Sequence, residues 1–146
     1  MLEKMMKLQN EFQNSLGTNI SSMSTEEKTA FIKEHSIHAT QELHEMLYEL
    51  PYFKPWKDYS QITDNEIEDQ ILKAREEFID LWHFVLNIAL ALDLDAHSIY
   101  YGYIKKNHEN HKRQDEHYTH DKSYRSPKTK VHQITLEEVL NEKNRG

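Results

Sequence analysis

Two pairs of acidic residues stand out, Glu42 with Glu45 and Glu77 with Asp80. A spacing of three places both carboxylates of a pair on one face, provided each segment is helical. Like charges so placed repel, by roughly 0.2–0.5 kcal/mol per pair on an isolated helix. Concentrated at a helix interface they require cations between them. Four carboxylates in a chain without cysteine make a hard oxygen site, suited to Mg2+ or Mn2+ rather than zinc. The same spacing also arises on ordinary solvated faces of a glutamate-rich chain, and Glu42 and Glu45 alone fit that reading too. The second pair lies in a more telling context. In FIDLWHFVLNIALAL the polar residues are Asp80, His83 and Asn87, aligned at i, i+3 and i+7. That stripe is either the wet edge of the helix or, because a helix apolar around most of its girth is usually buried, a row of groups that each need a partner.

A complementary set follows. Lys106, Asn110 and Arg113 share one helical face, with Tyr118 just beyond. Lysine and arginine bind phosphate oxygens as point charge and fork, and asparagine and tyrosine add neutral hydrogen bonds. An ordinary solvated face would read the same way. The net charge of −7 argues against a nucleic-acid backbone binder. Acidic residues dominate from Glu26 to Asp80, whereas Lys105 to Lys130 is basic. Such a division suits a ligand that combines metal with phosphate. The ten histidines are scattered. His35 and His38, at i and i+3, could begin a metal site but lack an evident third ligand.

The elements that must position these groups read as helices throughout. Three glycines and three prolines in 146 residues leave long unbroken stretches, in keeping with one all-α domain. The periodicity of Leu2, Met5, Leu8, Phe12 and Leu16 predicts a first helix that stops at Gly17, followed by a loop over Thr18 to Met23. Ser24 with Glu27 forms a capping box, and the helix it opens runs to Leu50, where Pro51 ends it. PYFKPWKDYSQI, residues 51 to 62, is an aromatic and basic connection. Thr63 with Glu66 forms a second capping box for the longest helix, Asp64 to about Leu92, roughly 40 Å long at 1.5 Å per residue. Asp95 can cap a fourth helix from Ala96 to about Arg113. Residues 1–118 are expected as the functional domain, and 119–146 as a polar, mobile tail with one short helix over Thr135 to Glu142. The opening MLEKMMKLQNEFQ is not a secretory signal, and no apolar run has the length of a membrane span, so a cytoplasmic protein is expected.

The segment EEFIDLWHFVLNIALALDLDAHSIYYGYIKKNHENHKRQDEHY resembles the core of the all-α dimeric dUTPases and related phage dCTP pyrophosphatases, within the MazG-like superfamily. These share acidic ExxE and ExxD motifs followed by one close to YxxKNxxNxxRQxxxY. The last is matched by Tyr103, Lys106, Asn107, Asn110, Arg113, Gln114 and Tyr118. LQNEFQNSLG is similar to the family's first motif, and KPWK to its aromatic and basic insertion. The likeness spans residues 8 to 118. It implies an antiparallel bundle of four to five helices, homodimeric, with two or more Mg2+ ions on Glu42, Glu45, Glu77 and Asp80, and Mn2+ as a substitute. It further implies phosphate contacts from Lys106, Asn110, Arg113 and Tyr118, and a pyrimidine contact from Gln9. Trp56 and Lys57 would close over the nucleotide, and Asn87 and Asn107 join the substrate-binding candidates. Three departures are visible: Phe12 stands where the family often has Asn, His117 replaces the usual Gly before the final Tyr, and the Gly- and Asp-Asn-containing C-terminal segment of many dUTPases has no counterpart in this sequence.

The chemistry implied is hydrolysis of dUTP, and of dCTP on the same pattern, to monophosphate and pyrophosphate. Divalent ions would activate the water and neutralise phosphate charge, and Glu45, with Glu42 beside it, would take the proton. Three rivals stand against this: a MazG-like enzyme of broad or oxidised-nucleotide specificity, a ferritin-like di-iron bundle, and an inert helical binding module. The di-iron site needs two Glu-x-x-His pairs, which only Asp80 with His83 approaches.

Overall fold

The computed structural model describes residues 1–118, with side chains to residue 114. The expected tail and its short helix lie outside the described residues. The described chain is all-helical: α1 (Leu2–Ser15), a 3₁₀ turn (Ile20–Ser22), α2 (Thr25–Glu49), α3 (Asp64–Ala91) and α4 (Ala96–Tyr118). Two compact units divide it, Met1–Asp95 and the part that begins at Ala96, of which α4 is described.

Both expected capping boxes form. Ser24 N–H donates to Glu27 at 2.7 Å while Glu27 N–H donates to the Ser24 hydroxyl at 3.2 Å. The Thr63 and Glu66 pair repeats this at 2.8 and 3.3 Å. Such caps satisfy helix-end N–H groups that otherwise lack partners, and each contributes about 1 kcal/mol. α1 and α3 end alike, with a left-handed residue after the last turn. At Gly17 (φ 83°) this costs nothing, and the N–H of Thr18 reaches back to the Gln13 carbonyl at 3.0 Å. At α3 the position holds Asp93 (φ 55°), with Leu94 N–H on the Ala89 carbonyl at 3.0 Å. A non-glycine residue there carries strain of about 1 kcal/mol. Lys28 Nζ, 2.6 and 2.7 Å from the two Asp93 carboxylate oxygens, pins it to the first turn of α2.

α2 and α3 form an antiparallel hairpin. Lys28 meets Asp93, the His38 ring stacks on Phe84 at 5.3 Å, and the Glu42 carboxyl bonds to Glu77, so numbers rise along one helix as they fall along the other. Ile20, Phe31 and Ala91 close one end, with Met23, Ile32 and Leu90 against them. α1 packs on α3 as well. Its buried residues are Met6, Gln9 and Gln13, one face at steps of three and four. The apolar row Leu8, Phe12 and Leu16 that marked the helix in the sequence points outward, each residue more than half exposed. α3 shows the same reversal, since Phe78, Ile79 and Val85 are exposed although its apolar girth predicted burial. Within Met1–Asp95 these apolar faces are left without a covering element.

α4, in the second unit, is longer than expected, running to Tyr118 rather than to about Arg113. The sequence YIKKNHENHKRQDEHY holds neither Gly nor Pro, so nothing in it breaks a helix.

Candidate metal centre

Glu42 and Glu45 project from α2, and Glu77 and Asp80 from α3, because both spacings of three are helical and the hairpin register sets the two pairs opposite each other. Glu42, Glu45 and Glu77 each offer a carboxylate oxygen within 4.8 Å of the others. Glu42 and Glu77 are half-buried and Glu45 is exposed. Asp80 falls outside this trio, but its charge acts on Glu42. Burial pushes the Glu42 carboxyl above its ordinary range. The neighbouring charges of Glu45, Asp80 and Glu77 push the same way, and so does the hydrogen bond to Glu77. All these causes favour the protonated form, and a cation among the carboxylates would reverse the balance.

The donor set fits a hard divalent ion. Octahedral Mg2+ holds oxygens at about 2.0–2.1 Å, which places opposite ligands about 4.2 Å apart. Three oxygens already within 4.8 Å reach that spacing through small side-chain rotations. Every donor is a carboxylate, and a cation among them would offset the like charges that act on Glu42.

Beyond Asp80 on the same helix lies a second cluster. Gln9, only 4 % exposed, donates from Nε2 to Asn87 Oδ1 at 2.9 Å, and Asn87 is 2 % exposed. The Gln9 Oε1 lies 2.7 Å from His83 Nδ1. Of the stripe Asp80, His83 and Asn87, Asn87 is thus buried and partnered, while Asp80 and His83 are exposed. Gln9 and Asn87, both substrate candidates, come together, and His83 joins them although it was not among those candidates. Its sequence signal was a histidine one turn before an asparagine on an otherwise apolar surface. Gln13, 7 % exposed, was equally missed.

The other candidates are spread more widely. Trp56 is 74 % exposed on the 51–62 connection, and Lys57 Nζ sits 5.4 Å from the Tyr59 ring centre. Lys57 and Tyr59 help line a cleft of about 610 Å³ with Glu49, Gln61, Gln70 and Lys73. The Gln70 Oε1 there is buried without a hydrogen-bond partner. On α4, Lys106, Asn107, Asn110 and Arg113 are all exposed, and Lys106 Nζ lies 3.4 Å from a Glu109 carboxylate oxygen. Tyr118 is the last residue of that helix, and its side chain lies outside those described.

Residues 1–98 match the family model described as dUTPase, and the chain belongs to that family. It is also similar to the dCTP pyrophosphatase of Enterobacteria phage LZ5, at 39 % identity over 71 residues, which cover 45 % of this chain and 41 % of that one. The dCTP pyrophosphatase of Enterobacteria phage T4 is 36 % identical over 72 residues, covering 45 % and 42 %. The chain therefore spans about four tenths of the length of these curated relatives. No solved structure gives a significant match. The matched family region contains both acidic pairs and the Gln9, His83 and Asn87 cluster, and ends two residues into α4 proper beyond Ala96.

Proposed function

We propose that this chain is a Mg2+-dependent pyrophosphatase of deoxypyrimidine triphosphates, hydrolysing dUTP, and dCTP as the phage relatives' names suggest, to the monophosphate and pyrophosphate. The observation that carries this reading is the convergence of Glu42, Glu45 and Glu77 within 4.8 Å, with Glu42 held in favour of its protonated form by burial and like charge. Glu42, Glu45, Glu77 and Asp80 would hold two or more Mg2+ ions, or Mn2+ in their place. Bound there, the ions would supply charge neutralisation for the triphosphate and acidify water. Glu45, the exposed member of the trio, is open to solvent and takes the proton from the attacking water, with Glu42 beside it.

The remaining assignments follow the family pattern. Lys106, Asn110, Arg113 and Tyr118 bind phosphate oxygens, with Asn107 beside them. Gln9 and Asn87 meet the base, and Trp56 and Lys57 close over the nucleotide from their exposed connection. Residues 1–118 act as one functional domain, in a cytoplasmic protein, since that is where such nucleotides are drawn upon. The outward apolar row of α1 supports a homodimer, because Leu8, Phe12 and Leu16 lack a cover within Met1–Asp95.

Release of pyrophosphate from dUTP, dCTP, dTTP and dATP, with Mg2+ and with chelator, tests the reading. Mg2+-dependent release from dUTP or dCTP, well above that from dATP, is expected. Equal release from all four points to a broad MazG-like enzyme instead, and no release from any of them overturns the reading.

A further inference from the structure

The cluster of Gln9, His83 and Asn87, buried at its two amides, has a directional hydrogen-bond order. An amide oxygen only accepts, so with Gln9 Oε1 turned to the ring at 2.7 Å the proton belongs on His83 Nδ1. The Gln9 Nε2 then donates to Asn87 Oδ1 at 2.9 Å. Rotating the Gln9 amide by half a turn would demand the other neutral tautomer at His83, with Nδ1 accepting, and a matching half turn of the Asn87 amide. With Gln9 4 % and Asn87 2 % exposed, water cannot stand in for the contact between them, so the three groups must change together. The amide is therefore locked in register with the His83 tautomer and the Asn87 amide, leaving one N–H and one oxygen lone pair whose positions follow from them.

Uracil and cytosine differ in the pattern such an amide reads. Uracil presents the O4 acceptor beside the N3–H donor, whereas cytosine presents the N4 amino donor beside the N3 acceptor. An amide in one orientation complements one base, and the rotated amide complements the other. We infer that His83 is a positioning residue for base selection, setting through Gln9 which of dUTP and dCTP this site prefers. The inference rests on the proposed reading that Gln9 meets the base, and adds to it the group that decides what Gln9 can accept.

The test is the ratio of kcat/KM for dUTP and dCTP with Mg2+ in the unmodified protein, His83→Phe and His83→Asn. The unmodified protein is expected to discriminate. His83→Phe, which keeps ring bulk but removes the donor, should move the ratio toward one by about tenfold, the scale of a mispaired buried hydrogen-bonding group. His83→Asn places an amide N–H near the former Nδ1–H and should keep most of the preference. An unchanged ratio in His83→Phe, equal losses on both nucleotides, or an unmodified enzyme that treats the two alike each overturns the inference while leaving the pyrophosphatase reading standing. Inactivity of the unmodified protein on both overturns that reading and the inference with it. Nitrogen-15 NMR of the imidazole gives an independent check without a substitution. A proton on Nδ1 is expected, and a neutral ring protonated on Nε2 alone contradicts this hydrogen-bond order.

Discussion

Between Glu77 and Asn87 a single helix carries two polar clusters whose groups are satisfied in opposite ways. At Glu77 and Asp80 the carboxylates face Glu42 and Glu45, and burial together with these like charges raises the pKa of the partly buried Glu42. Two turns further on, Asn87 and Gln9 are more deeply buried, yet their amides are paired and His83 completes the chain. The first cluster sets like charge against like charge, whereas the second pairs its own amides and still keeps one N–H and one oxygen lone pair of Gln9 for a ligand. Burial alone therefore does not say how a polar cluster is satisfied. The decisive quantity is whether the polar groups satisfy one another.

Substitutions at the two clusters should separate activity from stability. Glu45→Gln removes the proton acceptor and a ligand while keeping shape, and turnover of dUTP or dCTP should fall by at least about 100-fold, with nucleotide binding largely kept. Steady-state kinetics beside equilibrium nucleotide titration checks this, and unchanged turnover would remove Glu45 from the mechanism. At the second cluster Asn87→Leu leaves a Gln9 N–H without an acceptor, and a loss of about 1–3 kcal/mol of folding stability is expected by denaturant titration. A neutral result would mean that the amide network contributes little to the fold.

The acidic cluster also has a pH signature. Because the Glu42 pKa is raised in the folded state above its reference of 4.5, its charge opposes folding at neutral pH, and that opposition is relieved as pH falls through the raised value. In the absence of metal, the stability of the unmodified protein relative to Glu42→Gln should therefore rise as pH is lowered toward 4.5. Added Mg2+ should reverse the trend, because protons compete with the ion. Thermal melts of both proteins across that window check it, and parallel curves would contradict the assigned shift. The smallest effect is expected far from either cluster. Lys28→Met breaks the pair with Asp93, whose carboxylate is 75 % exposed. A loss of no more than about 1 kcal/mol is expected by denaturant titration, with unchanged activity.

Much of the hairpin was legible in the residues. Both capping boxes, the stop at Leu50 before Pro51 and the left-handed Gly17 follow from local chemistry that tertiary packing does not alter. The convergence of Glu42, Glu45 and Glu77 is likewise implied by two helical spacings once the helices pair. The direction in which α1 faces was not legible. Its apolar row predicts a helix correctly but is the face turned to solvent, while Met6, Gln9 and Gln13 turn inward. Periodicity reports that a helix has an apolar side, and cannot say whether its own chain or another covers it. The part played by His83 was hidden for a related reason, since a hydrogen bond across 74 positions depends on how α1 docks on α3.

Titration calorimetry with Mg2+ on the unmodified protein and on Glu77→Gln, without nucleotide, addresses the acidic centre most directly. Saturable binding of at least one ion per chain, weakened at least about tenfold by the substitution, is the predicted result. Equally weak, non-saturating heats from both proteins would contradict the assignment of these carboxylates as a metal centre.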